Sequence, residues 1–397
     1  MSIRNEEKKG IKEEIIKSRR SGLTMAILSL SLLTVMAGAA VAPVLNVISE
    51  YFDDVNRTLI QMIVSVPSLF IVITNLIFPA LARKYRAKSL LMVGLLLYTA
   101  GGCVAGVFNN IWMLLAARAL VGIGVGIIMP MSTGLIAFYY TRDKQEKLMG
   151  YSSAMNQLGG SVATLLSGLL AILSWRAAFL VYLMGVISIV LCGIRLPNEY
   201  IGDRHAPGED NKAGQGNFRK YYRYIIAMLL LTFAFFIYPV NFAIEAAKAG
   251  ALSQTAIAVI MALMDICGFF GGLAFAGVKK RAGKYTRFVS PVLFIAGYIS
   301  LAVCDHLIAT LIGTCLIGFA AGEGIPFIIS SASIKAGRNA GSTVLPLVSA
   351  SLYTAQFLTP FVTGALGGVF TSVYHLPYWI AICFSAIFLL WSAGIRD

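Results

Sequence analysis

Three ionisable side chains stand deep inside apolar runs: Arg118, Asp265 and Glu323. Arg118 belongs to NIWMLLAARALVGIGVGIIMPMSTGLIAFYY, residues 110–140, in which it is the only charge. A cation placed there faces a protein interior or a watery cavity, because hydrocarbon penalises it heavily. It either ties helices together or meets a charged group on a solute pathway. Asp265 sits in VIMALMDICGFFGG, with Gly268 and Gly272 on its own helical face. Glu323 sits in FAAGEGIPFIISS, where Pro326 predicts a kink or an opening of the helix. Desolvation disfavours a buried carboxylate charge. Taking up and releasing a proton is therefore the chemistry open to both acids, and a fixed hydrogen bond to a neighbouring helix is the plainer alternative.

Neutral polar residues accompany them: Asn75, Asn156, Gln157, Asn241 and Gln356. Phe235, Phe236 and Tyr238 gather beside Pro239. Aromatic walls with few polar groups suit an amphipathic organic solute. Covalent catalysis has no basis here. His205, His306 and His375 are far apart, and no cluster has metal-ligand spacing. There is no Gly-x-Ser-x-Gly elbow. The run Gly277 to Tyr285 lacks the Ser or Thr of a phosphate-binding Walker loop, so ATP is not the expected energy source. The six cysteines form no CxxC pair and read as small apolar residues. The expectation is no enzyme, no metal and no cofactor.

The elements that carry these groups are membrane helices. Of 397 residues 58% are hydrophobic and only 13% charged, with a mean hydropathy of +0.79; a soluble domain carries about 25% charged residues. Twelve spans are predicted: 23–49, 58–82, 88–108, 110–138, 147–173, 175–195, 222–247, 254–278, 284–304, 307–333, 340–367 and 375–395. Each covers the ~20 residues needed to cross the hydrocarbon core. The net charge of +14 would point to nucleic acid in a soluble protein, but its distribution points elsewhere. With the N-terminus cytoplasmic, 28 of the 32 Lys and Arg fall on one side; Arg57, Arg176 and Lys248 fall on the other and Arg118 lies within a span. This is the positive-inside pattern. It predicts a multi-pass protein of the cell membrane with both termini cytoplasmic and no nucleic-acid partner.

The polar stretch 196–221 divides the chain. A cytoplasmic lead (1–21) precedes an N-terminal half (22–195); the linker (196–221) joins it to a C-terminal half (222–397). Two basic turns, PALARKYRAKSL from Pro79 and AGVKKRAGKYTR from Ala276, occupy equivalent places after the second span of each half. The third and sixth span of each half hold no interior charge, which assigns them to lipid and the other eight to the interior. The fold class is all-α, twelve transmembrane helices in two pseudo-symmetric halves of six.

On these residues the chain resembles the major facilitator superfamily. Leu81, Ala82, Lys84 and Lys88 fit its signature between spans 2 and 3, although Pro79, Arg83 and Arg86 stand where the family shows Gly, Asp and Gly. Leu114, Arg118, Gly122 and Gly124 match its Leu-x-x-x-Arg-x-x-x-Gly-x-Gly pattern. Ser174 to Phe179 resembles the Trp-Arg-x-x-Phe often found where span 6 begins. The likeness is greatest to twelve-span drug/proton antiporters, with Ala163 and Thr164 where exporters often carry Gly-Pro. The resemblance implies a monomeric secondary transporter that moves a small organic solute against protons, outward. Uptake of an organic anion or nutrient with protons, and a non-transporting receptor or scaffold, are the alternatives. Solute and coupling contacts are expected from Arg118, Asp265, Glu323, Asn156, Gln157, Tyr238, Asn241 and Gln356. Gly122, Gly126, Arg83 and Lys84 are expected to serve packing and gating.

Overall fold

A computed structural model describes residues 22–140, 142–200, 218–250, 252–304, 306–336, 345–370 and 373–394. The lead and most of the predicted linker lie outside these. The described residues form helices joined by short turns and contain no strand. Twelve elements follow in order: α1 Gly22–Tyr51, α2 Arg57–Lys84, α3 Ala87–Ala105, α4 Ile111–Tyr139, α5 Arg142–Leu170, α6 Ala177–Arg195, α7 Phe218–Ala249, α8 Gln254–Ala282, α9 Thr286–Val303, α10 Leu307–Ala336, α11 Leu345–Val369 and α12 Leu376–Ser392. Two of these are composite. α1 breaks at 40–44 into a turn and a 3-10 turn, and α6 opens with the 3-10 stretch Ala177–Leu183.

Local chemistry fixes several helix starts on the side opposite the basic turns, called here the far face. The side chains of Asn56, Asn110 and Ser253 accept hydrogen bonds from the backbone N–H of Thr58, Trp112 and Ala256, capping α2, α4 and α8. At the basic face Gly283 takes φ +52°, which lets α8 turn directly into α9.

Eight stretches are apolar and long enough to cross a membrane, one of them, Gln254–Val303, running through both α8 and α9; Leu376–Ser392 is a shorter apolar helix. Two helices remain, α5 and α11, of which α5 is the more polar. α5 lies against α8 and α11 lies against α2, so these are the helices that join one half to the other. By contrast α3, α6, α9 and α12 pack only within their own halves and leave outward rows of exposed apolar side chains, such as Val93, Leu96, Ile187, Val190, Ile299 and Leu390.

The repeat runs down to single contacts. Gly122, Gly126 and Pro130 of α4 recur at one constant spacing as Gly318, Gly322 and Pro326 of α10, and Tyr182 recurs as Tyr378. Gly101 lies against the Ala117 carbonyl, and its counterpart Gly297 against that of Gly313. Gly124 lies against the Gly94 carbonyl; at the matching place Ser290 Oγ donates to Ala320 O.

Of the kink or opening expected near Pro326, the opening is not seen. α10 stays helical through Gly322, Glu323 and Pro326 instead of opening. Pro326 does deprive the Gly322 carbonyl of its helical partner. A Cβ on Gly322, however, would lie 1.9 Å from Gly268 O, and the Gly322 carbonyl faces Gly272. Backbone packed that tightly on α8 leaves no room to unwind.

Candidate transport site

Arg118 is 0% exposed and sits at the junction of α1, α2, α4 and α6. Its Nε donates to Ile63 O at 2.7 Å, and its two terminal nitrogens donate to Tyr182 Oη and to Ala37 O. Both carbonyls lack their ordinary helical partner. Ile63 O is orphaned because residue 67 is proline and has no N–H. Ala37 O is left over where α1 breaks, since Val41 N turns to Gly38 O. Tyr182 Oη also donates to Ala37 O at 2.8 Å. Gly122, one turn on from Arg118, lets the Pro67 backbone approach; a Cβ there would lie 2.4 Å from Pro67 O. Gly126 repeats this against Thr74. The guanidinium thus caps two helix breaks at once, and its planar fork of donors suits the task.

Asp265 lies on the inner face of α8, at mid-depth, where it meets the other half. Its Oδ2 accepts from Thr164 Oγ1 of α5 at 3.3 Å, and it sits against Gly160, whose missing side chain leaves it room beside Val35 of α1. The residue is partly exposed and takes part in none of the ion pairs among the described residues. Asn156 and Gln157 line the same stretch of α5. Asn156 Oδ1 accepts from Thr34 Oγ1 at 2.7 Å, and the Gln157 amide lies over Gly268, one turn from Asp265.

Glu323 is 0% exposed and neither carboxyl oxygen has a hydrogen-bond partner. Asp265 and Glu323 therefore occupy adjacent helices but different settings. Tyr238 is buried, its hydroxyl 2.8 Å from Thr314 Oγ1 and its ring stacked on Phe242. Gln356 is buried on α11, with its amide facing Gly38 of α1. Arg83 and Lys84 are exposed in the last turn of α2 on the basic face.

A cluster that sequence reasoning missed closes the far face. Glu245, near the end of α7, receives Arg57 of α2 at 2.6 Å, Lys248 at 3.4 Å and His375 at 3.3 Å. Just beneath, Asn241 Oδ1 accepts from Gln61 Nε2 at 2.7 Å and from Arg57 at 3.3 Å. Thr363 of α11 donates to Gln61 Oε1 at 3.4 Å. Nearby, glycines of one half admit side chains of the other: a Cβ on Gly168 would lie 1.9 Å from that of Ala258, and one on Gly364 would lie 2.1 Å from Thr58 Oγ1. Gln254 adds a bond to Pro43 O at 2.6 Å. The sequence signals for this cluster were charge at helix ends, at Arg57, Glu245 and Lys248, and the polar Asn241, which was expected as a solute contact. Their convergence depends on tertiary packing.

Two six-helix halves meeting along a polar seam have a recognised sequence counterpart. The sequence model of the Major Facilitator Superfamily matches residues 27–345. The chain belongs to this family. Among relatives within it, the sialic acid transporter NanX of Escherichia coli (strain K12) is 24% identical over 253 residues, 61% of each chain. The quinolone resistance protein NorA of Staphylococcus aureus (strain Mu50 / ATCC 700699) is 31% identical over 110 residues, 28% of each chain. The chain thus spans less than two thirds of the length of these relatives. The same architecture is seen in a bacterial homologue of the human lysosomal transporter Spinster, in an inward-facing, unoccupied conformation. The two superpose with a TM-score of 0.76 over 95% of this chain and 96% of the other, at 15% identity, a likeness of fold alone. The family is one of membrane transporters, and the fold described here is that of a multi-pass membrane protein.

Proposed function

We propose that this protein is a proton-coupled carrier that exports a small amphipathic organic solute across the cell membrane, working as a monomer by alternating access. The basic face is then cytoplasmic, with both termini there. The conformation described here is the one closed to the outside, sealed by the Arg57–Glu245 cluster and the glycine contacts around it. The single observation that carries the reading is Asp265: a carboxylate at mid-depth, partly exposed, in no ion pair, and held by the hydroxyl of a residue from the opposite half. A group at the seam between two rocking halves changes its surroundings as they move.

In this reading Asp265, Asn156, Gln157 and Gln356 meet the solute, with Tyr238 shaping the wall, and Asn241, expected as a further contact, belongs to the far-face seal. Glu323 is the coupling acid, since it is sealed off without a partner and can exchange a proton only when the halves rearrange. Arg118 is a positioning residue that keeps the N-terminal half rigid. Gly122 and Gly126 allow its helices to pack, and Arg83 and Lys84 act at the cytoplasmic gate. The short match to a quinolone resistance protein favours export. The longer match to a sialic acid transporter favours a second reading, carriage of an organic acid.

Reconstitution into proteoliposomes tests this. Glu323→Gln should retain counterflow and lose accumulation driven by a pH gradient. Asp265→Asn should weaken binding while the residual flux stays pH-driven. Gradient-driven accumulation at the wild-type level in Glu323→Gln removes Glu323 as the coupling site.

A further inference from the structure

We infer that the solute carries a positively charged nitrogen, an amphipathic amine, that pairs with Asp265. The inference rests on the carrier reading above and adds the sign of the charge.

An anionic solute needs a cation whose donors are free. Among the described residues, Arg118 is the cation at mid-depth. All three of its side-chain nitrogens already donate, to Ile63 O, Tyr182 Oη and Ala37 O, and it has no exposed surface. Withdrawing it to meet a carboxylate would uncap the Ile63 carbonyl, which Pro67 has orphaned. Arg57 lies at the far face and is committed to Glu245 and Asn241. The seam therefore offers no available cation at the depth of Asp265.

The carboxylates divide the other way. Glu245 is surrounded by Arg57, Lys248 and His375. Glu323 is closed off. Asp265 alone of the three is partly exposed and lacks a counter-charge. Thr164 donates to one of its oxygens. The other, Oδ1, has no hydrogen bond among the described residues and is not among the fully buried atoms. Its neighbours are neutral: Thr164, Gln157 over Gly268, and the Thr34–Asn156 pair. Removing a carboxylate charge from water is costly unless a partner of opposite sign answers it. An ammonium N–H aimed at Oδ1 supplies both the charge and the missing hydrogen bond.

The experiment uses purified full-length protein and matched probes: phenylbutylamine, its neutral N-acetyl derivative, and phenylpentanoate. Melting temperature is read against probe concentration, because a ligand that binds only the folded state raises it. The amine should bind roughly ten- to a hundredfold tighter than the amide, the worth of a charge-assisted hydrogen bond. The carboxylate should give no shift. Asp265→Asn should reduce the amine to the level of the amide without lowering the melting temperature of the unliganded protein, and Asp265→Glu should restore part of the preference. Equal or tighter binding of phenylpentanoate, an amine preference that survives in Asp265→Asn, or no shift with the amine overturns the inference. Counterflow separates this from the carrier reading. If an anionic solute is exchanged, the carrier stands and the amine assignment falls. If the amine binds at Asp265 but no solute is exchanged, the assignment stands and the carrier reading falls.

Discussion

Replacing Arg118 by Met removes the charge while keeping most of the side-chain volume. It deletes three charge-assisted hydrogen bonds, each worth roughly 1.5–3 kcal/mol. Relief of roughly 2.5–3.5 kcal/mol comes from no longer placing an arginine within the bilayer. The balance is a loss of about 1–6 kcal/mol, with insertion unimpaired. The loss has a specific address. Ala37 O keeps the Tyr182 hydroxyl at 2.8 Å, so the carbonyl left bare is that of Ile63. Pro67→Ala returns an N–H to the position from which a helix would satisfy Ile63 O. The double variant Arg118→Met/Pro67→Ala should then recover about 1–3 kcal/mol relative to the sum of the single variants, the cost of one unsatisfied buried carbonyl. Unfolding by SDS in mixed micelles measures this, followed by the fluorescence of Trp112 and Trp175 after Trp379 and Trp391 are changed to Phe. If the double variant is merely the sum of its parts, Arg118 does not act by capping the Pro67 break. Transport by Arg118→Met should be lost while the protein still reaches the membrane; wild-type flux would leave Arg118 without any part in transport.

Gly122→Leu and Gly322→Leu should each give protein that inserts and binds solute but does not exchange it, since even a Cβ would lie 2.4 Å from Pro67 O and 1.9 Å from Gly268 O respectively; normal counterflow in both would remove these helix approaches from the mechanism. Glu245→Gln should loosen the far face, seen as several-fold faster maleimide labelling from outside of a cysteine placed at Ala258, which packs on Gly168. The charge swap Arg57→Glu/Glu245→Arg should slow that labelling again, and no rescue would mean the pair does not hold the seal.

What the sequence could and could not disclose follows from how local each interaction is. The spans were legible because apolar length and basic turns are properties of contiguous residues. The glycine approach of α4 was legible from Gly122 and Gly126, though not that it meets the Pro67 backbone. Pro67 itself announces an orphan carbonyl at Ile63, and the Gly38–Pro43 stretch announces a break in α1. Which side chain answers them depends on how four helices cross. Glu245 falls at the end of the span predicted over 222–247, but Arg57 and His375 reach it from distant parts of the chain, and no spacing rule joins them. Glu323 shows the opposite failure. Its Gly-Glu-Gly-Ile-Pro context is locally helix-breaking, yet tight packing against Gly268 and Gly272 overrides that preference.

The constant-spacing repeat shows how one scaffold was charged in two ways. Arg118 corresponds to Thr314, Leu69 to Asp265 and Ile127 to Glu323. In the N-terminal half a buried cation binds helix breaks in α1 and α2 into one knot. In the C-terminal half neutral hydroxyls do comparable work: Tyr238 with Thr314, and Tyr298 donating to Ala234 O. Among the described residues no buried cation stands in that half at the place of Arg118, and both lone carboxylates belong to it. They lie on α8 and α10, whose backbones are in close contact at Gly318 with Met264, at Gly322 with Gly268 and at Gly271 with Phe319. Helices packed that closely cannot shift independently. In the proposed carrier, a proton that changes the position of Glu323 on α10 moves α8 as well, and α8 presents Asp265 to Thr164 across the seam. Coupling between proton and solute then needs no direct contact between the two acids, only the rigidity of the glycine seam that joins their helices.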